Sequence, residues 1–171
     1  DLSCIVDVNG IYPLEFTARF GYPTISIQQE GILMPMSEFL YQMASGELKE
    51  FKCKKGFQIG VRILVPPYPF NDPQTFETYS KDGVILFKKP NLDGIHIGDI
   101  KTVDGEWLVA GNSGIALIVV GTGTTMKQAQ AQVYNRISNI MIPNMYYRND
   151  IGDRWYEDSD KLHAWGYLRQ S

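Results

Sequence analysis

The sequence predicts an α+β domain with a mainly antiparallel sheet packed against one long helix. Three observations point there. Short alternating apolar runs succeed one another across turn residues, as antiparallel strands do. One run, Ile115 to Val120, is apolar without a break, which marks a central strand. Met126 to Ile140 carries Met126, Ala129, Val133, Ile137 and Ile140 at helical spacing, with Gln128, Gln130, Gln132 and Asn135 on the polar side.

The elements follow in order. Cys4 to Val8 alternates, Asn9-Gly10 is a two-residue hairpin turn, and Ile11 to Arg19 reads as the returning strand. Pro13 cannot donate to a ladder, so it is expected at an edge or at strand entry. Gly21-Tyr22-Pro23 turns the chain, and Ile25 to Ile32 reads as helix or loop. Ser37 to Ala44 reads as a helix, with Phe39, Leu40 and Met43 on one face and Gly46 at the C-terminal cap. Phe57 to Val65 alternates until Pro66-Pro67 stops it. Further strands are expected at Val84 to Phe87, across Gly94 to Lys101, and at Trp107 to Ala110. Gly121 and Gly123 are expected to relieve crowding where the central strand leaves the sheet. Thr125 and Gln128 form a capping-box pattern, and Pro143 ends the helical spacing. The tail, Asn144 to Ser171, reads as a short terminal helix or an extended arm.

With 171 residues, 44% of them hydrophobic, the chain suits one domain, or one domain plus a piece of another. Acidic residues number 19 and basic ones 16, a net charge of -3, which argues against a nucleic-acid surface. The dense basic run Lys52-Cys53-Lys54-Lys55 reads as a solvated loop. No apolar run approaches the roughly 20 residues of a membrane helix, and no signal-peptide pattern opens the chain. Cys4 and Cys53, like His96 and His163, lack metal-ligand spacing. Inert thiols in a reduced, cytoplasmic setting are the expectation. The chain starts at Asp1 and enters a strand-like run at once, so a piece of a longer protein is expected.

On a strand, Glu15, Thr17 and Arg19 share one face, opposite Leu14, Phe16 and Ala18. Mg²⁺ takes hard oxygen ligands, often one or two carboxylates plus substrate phosphates. An arginine just beyond can hold phosphate bidentately. The same spacing also describes an ordinary solvated strand face. Gly111-Asn112-Ser113-Gly114 reads either as a loop presenting backbone N–H groups to an anion or as a tight turn between core strands. His96 reads as a satisfied strand histidine. Arg148, Asp150 and Arg154 read as an ion-pair brace for the tail. Trp155, Tyr156, Trp165 and Tyr167 read as an apolar patch that meets missing domains.

Several stretches together resemble one family. "LEFTARFGYP" is similar to the "IEFNxRFGDPE" signature that closes the ATP-grasp domain of glycinamide ribonucleotide synthetase (phosphoribosylamine–glycine ligase). "GIHIGD" is similar to its His-x-Gly element. "GNSGIALIVVGTGTTMKQAQAQVYNRISNI" resembles its "TNGGRVLxVTAxGxTxxEAxxxAY" stretch, and "YYRNDIGDRW" its closing "YRxDIGxR". The matches are collinear from residue 5 to about residue 154.

The resemblance implies that residues 1–48 are the C-terminal end of an ATP-grasp domain, a hairpin plus helix, and that residues 49–171 are the ligase C-terminal domain. It implies ATP and Mg²⁺ as cofactors. In that family they activate the glycine carboxylate as an acyl phosphate, and the amine of 5-phosphoribosylamine attacks it, early in purine synthesis. The family's Mg²⁺-binding residues fall on Glu15 and Thr17. Its catalytic arginine falls on Arg19 and is expected to face phosphate. Gly21, Asn112 and Gly114 are expected on the substrate or phosphate side. The adenine and triphosphate sites lie upstream in that family. The missing N-terminal ATP-grasp domains are therefore expected partners, and the isolated chain is expected not to make the amide. Thr17 stands where the family has Asn, Tyr22 where it has Asp, and Thr24 where it has Glu. These departures leave a second reading open: a non-catalytic or substrate-shifted ligase-derived module for binding or assembly.

Overall fold

A β-hairpin opens the chain and makes a two-stranded sheet of its own. In the computed structural model, which describes residues 1–168, β1 (Leu2–Asp7) pairs antiparallel with β2 (Gly10–Phe16). The Asp7 carboxylate accepts the Asn9 and Gly10 amides at 2.7 and 3.1 Å and closes the turn. Pro13 lies in mid-strand opposite Cys4 rather than at strand entry, and the register slips beside it. A bulge accommodates the ladder bond that proline cannot donate. β2 also ends sooner than its sequence predicts. Pairing runs out where Asp1 and Thr17 exchange main-chain bonds of 2.8 and 2.9 Å, so Ala18 and Arg19 lie beyond the strand.

Two helices follow, α1 (Thr24–Gly31) and α2 (Met36–Ser45), so Ile25 to Ile32 is mostly helical. α2 ends at Gly46 with φ 74°, the left-handed cap its sequence predicts. The rest runs β3 (Phe57–Leu64), α3 (Pro73–Tyr79), β4 (Val84–Phe87), β5 (Ile95–Ile97), β6 (Ile100–Val103), β7 (Glu106–Val109), β8 (Ile115–Gly123), α4 (Met126–Ile137), β9 (Ile140–Met141) and α5 (Trp155–Ala164). Every strand pairing is antiparallel, in orders β3-β8-β5 and β6-β7-β4-β9. The fold is thus α+β, as expected, with β8 central.

Residues 94–101 form two strands rather than one, because Gly98-Asp99 turns the chain from one sheet to the other. α4 stops at Ile137, and Ile140 joins β9 instead. The capping box at its start is formed: the Thr125 hydroxyl accepts the Gln128 main-chain amide at 3.2 Å, and the Gln128 side-chain Oε1 accepts the Thr125 amide at 3.2 Å.

Ala116 to Val120 of β8 are fully buried. Val61, Ile63, Leu117 and Val119 meet Ala129, Val133 and Ile137 of α4 in one core, which Ile85 and Val109 of the second sheet share. α4 comes this close because Gly121 has no side chain; a Cβ there would run into the Ala129 carbonyl and the Val133 amide. α1 packs against β3 and β8. No helix among the described residues is long and apolar enough to cross a membrane.

Candidate functional site

Two of the three candidate strand-face residues come together. The Thr17 hydroxyl donates to Glu15 Oε1 at 3.1 Å, at the open end of the hairpin. Arg19 does not join them on the strand. It lies in the bend beyond β2, exposed, and its Nη1 donates to the Phe20 carbonyl at 3.1 Å. Gly21 is buried, and a side chain there would collide with the Asp1 carboxylate.

Asn112 and Gly114 occupy the loop between β7 and β8. Asn112 is exposed and Gly114 buried, with φ 74° and no room for a Cβ beside the Val65 carbonyl and Tyr68. Asp99 holds this loop: its Oδ2 accepts the Ser113 hydroxyl at 2.5 Å and the Ser113 amide at 3.4 Å. A pocket of ≈ 340 Å³ opens beside the loop, lined by Tyr68, Phe70, Asn71, Asn112 and Ser113 among others.

The hairpin end and the loop are linked through residues that sequence reasoning passes over. Arg62 of β3 donates to the Tyr68 hydroxyl at 3.1 Å and to the Tyr22 carbonyl at 3.4 Å. Its guanidinium lies 5.7 Å from the centre of the Tyr22 ring, a cation–π contact. Partial burial lifts the Tyr22 phenol above its ordinary value; the Arg62 charge opposes that lift, and Asp99 adds to it. A lone cation in the apolar run "GVRILV" is the one sequence signal that could have found Arg62.

The oxygen donors suit a hard cation only in part. Among the described residues no group of three or more His, Cys, Asp or Glu side chains gathers to hold a metal. Glu15 and Thr17 offer a carboxylate and a hydroxyl. That fits an ion whose remaining ligands are phosphates and water, the usual arrangement for Mg²⁺.

Other candidates take structural places. His96 Nε2 lies 3.1 Å from Glu30 Oε1 and ties β5 to α1. Arg148 pairs with Asp150 at 2.6 Å, but Arg154 pairs with Asp158 at 3.2 Å. The expected brace is thus two separate contacts, because α5 places Asp158 one turn from Arg154. The tail aromatics do not form one open patch. Trp155 meets Phe57 edge-on with ring centres 4.8 Å apart, and the Tyr167 hydroxyl donates to the Asp7 carbonyl at 3.0 Å.

Comparison with known proteins bears on this arrangement. Residues 67–154 match the model of the phosphoribosylglycinamide synthetase C domain. The chain is 27% identical over 152 residues to the phosphoribosylamine–glycine ligase of Mycobacterium bovis, covering 87% of this chain and 34% of that protein. For the Streptococcus pneumoniae enzyme of the same name the values are 27%, 88% and 34%. The chain thus spans about a third of the length of these curated relatives. Among solved structures, the Thermotoga maritima phosphoribosylamine–glycine ligase superposes with TM-score 0.68 at 22% identity, over 87% of this chain and 35% of that one. The biotin carboxylase domain of Hydrogenobacter thermophilus 2-oxoglutarate carboxylase superposes with TM-score 0.55 at 15% identity, over 98% and 40%. The family model covers half of the sequence and takes in α3, the second sheet, β8 and α4, so the chain belongs to the phosphoribosylglycinamide synthetase C-domain family.

Proposed function

We propose that this chain is the C-terminal part of an ATP-dependent carbon–nitrogen ligase of the phosphoribosylamine–glycine ligase type. The observation that carries the reading is the match to those ligases over 152 residues, well beyond the C-domain model itself. In this reading residues 1–48 close an ATP-grasp domain, residues 49–171 form the C-terminal domain, and the whole enzyme works in the cytoplasm. Its substrates are ATP, an amino acid and phosphoribosylamine.

The roles follow from the resemblance, and the geometry at the hairpin end supports them in part. Glu15 and Thr17 hold one side of a Mg²⁺ ion, with Thr17 also orienting the Glu15 carboxylate. That ion, when bound, neutralises phosphate charge during acyl-phosphate formation. Arg19 spends one N–H on the Phe20 carbonyl and keeps its other donors for phosphate oxygens. The resemblance assigns Gly21, Asn112 and Gly114 to the substrate side, and of these Asn112 is the exposed one. Among the described residues nothing shields this chemistry from water. Leu14 and Phe16 beside Glu15 are 64% and 77% exposed, so the upstream ATP-grasp body has to supply that shield.

The isolated chain is therefore predicted to form no amide, and the full-length protein to form one with release of ADP and phosphate. Glu15→Ala in the full-length protein is predicted to lower the rate at least a hundredfold, since the metal loses its carboxylate. ATP-dependent amide formation by the 171-residue chain alone would defeat the reading, as would full ligation by the Glu15→Ala protein. One observation favours a substrate-shifted or non-catalytic variant: Tyr22 places an aromatic ring over Arg62 where the resembled signature carries an acid. Ligation assays with a panel of amino acids separate the two.

A further inference from the structure

Arg62 carries a charge in the middle of β3, and among the described residues no carboxylate pairs with it. Its neighbours on the strand, Val61 and Ile63, are buried in the core on the opposite face. Arg62 itself is half-buried, and its guanidinium is held by side chain and backbone rather than by a carboxylate. These contacts come from two segments far apart in sequence. One donor reaches the Tyr68 hydroxyl, another the Tyr22 carbonyl, and the guanidinium lies over the Tyr22 ring.

Each partner leads to a different part of the candidate site. Tyr22 follows Arg19, Phe20 and Gly21 directly. Tyr68 packs against Gly114, which closes the Asn112 loop, and Asp99, which acts on the Tyr22 phenol, anchors Ser113 of the same loop. β3 is rigid on this scale, because eight of its residues pair with β8.

We infer that Arg62 is a positioning residue that fixes the Arg19–Tyr22 turn relative to the 111–114 loop. It touches neither metal nor phosphate in this role. It sets the orientation of the groups that do, and so couples the hairpin end to the C-terminal domain. The catalytic part of this inference rests on the ligase reading; the structural part does not.

The test therefore has two arms. In the first, amide hydrogen exchange is measured on the 171-residue chain. Arg62→Ala is expected to speed exchange at residues 19–22 and at 111–114 together, by about tenfold, with β8 unchanged. Arg62→Lys restores little, since an ammonium cannot serve both acceptors and the ring face. Tyr68→Phe deletes only the hydroxyl acceptor, and it answers the same question should Arg62→Ala fold poorly. Unchanged exchange at 111–114 in a folded variant overturns the inference, whatever the protein's activity. In the second arm, the full-length ligase carrying Arg62→Ala is expected to lose kcat about ten- to hundredfold, with KM for ATP little changed, as misplacement of reacting groups does. Tyr22→Leu added to Arg62→Ala is expected to cost nothing more, because both remove the same contact. Additive losses overturn it. No ligation by the unaltered full-length protein defeats the ligase reading and leaves the exchange arm to decide on Arg62.

Discussion

The molecule holds two very different kinds of structure, the β8–α4 layer and the opening hairpin. In the layer, Ala116, Leu117, Ile118, Val119, Val120, Ala129 and Val133 are all 0% exposed. In the hairpin, Leu2, Ile5, Ile11, Leu14 and Phe16 are each more than half exposed. Both are equally apolar in sequence. The difference is that one has found its partners within the chain and the other has not. A two-stranded hairpin is at best marginal alone, so the hairpin's order depends on what it touches.

That contrast can be broken or sharpened by experiment. The largest effect is expected from Leu117→Ala, which opens a cavity in the middle of the central strand and should cost about 3 kcal/mol in denaturant unfolding. Phe16→Ala, the same kind of truncation in the hairpin, should cost under about 0.5 kcal/mol in the isolated chain. Equal losses at the two positions would erase the distinction. Next comes Gly121→Ala, which forces α4 away from β8 and should cost about 2 kcal/mol by thermal melting. Thr125→Ala removes the cap of α4 and should cost about 1 kcal/mol. The smallest effect is a local one. The Thr75 hydroxyl, and after it the Thr75 amide, holds the Asp72 carboxyl below its ordinary value. A carboxyl lowered in the folded state stabilises above its unfolded value, about 3.9, and loses that contribution as pH falls through the folded one. α3 should therefore fray only in acid, seen as faster exchange at the Gln74 and Thr75 amides, with no change near neutrality.

Much of the fold is legible in the sequence because local chemistry decides it. Asn9-Gly10 sets the hairpin, Gly46 ends α2, Thr125 and Gln128 start α4, and the apolar run from Ile115 marks the central strand. α3 is the clearest element missing from the sequence reading. Its signal was present in Asp72-Pro73, an acceptor followed by a proline at the first helical position, but the segment lacks long apolar spacing. β9 is too short to have a period at all. The site is half legible. Glu15 and Thr17 face the same way because alternation holds to the end of β2. Arg19 does not, because strand pairing stops at Thr17, and no periodicity announces where a partner strand runs out. Arg62 is harder still. One cation among apolar residues reads as a solvated position, and only the tertiary meeting of Tyr22 and Tyr68 gives it a task.

The Tyr167–Asp7 contact joins residues 160 positions apart. Closing a loop of that length in an unfolded chain costs about 4 to 5 kcal/mol in entropy, while one neutral hydrogen bond returns only about 1 kcal/mol. The bond cannot guide folding. It becomes affordable only after β3, β8 and α4 have brought the chain ends near each other. The contact between the last described turn and the first strand is then the last to form on refolding and the first to go on heating.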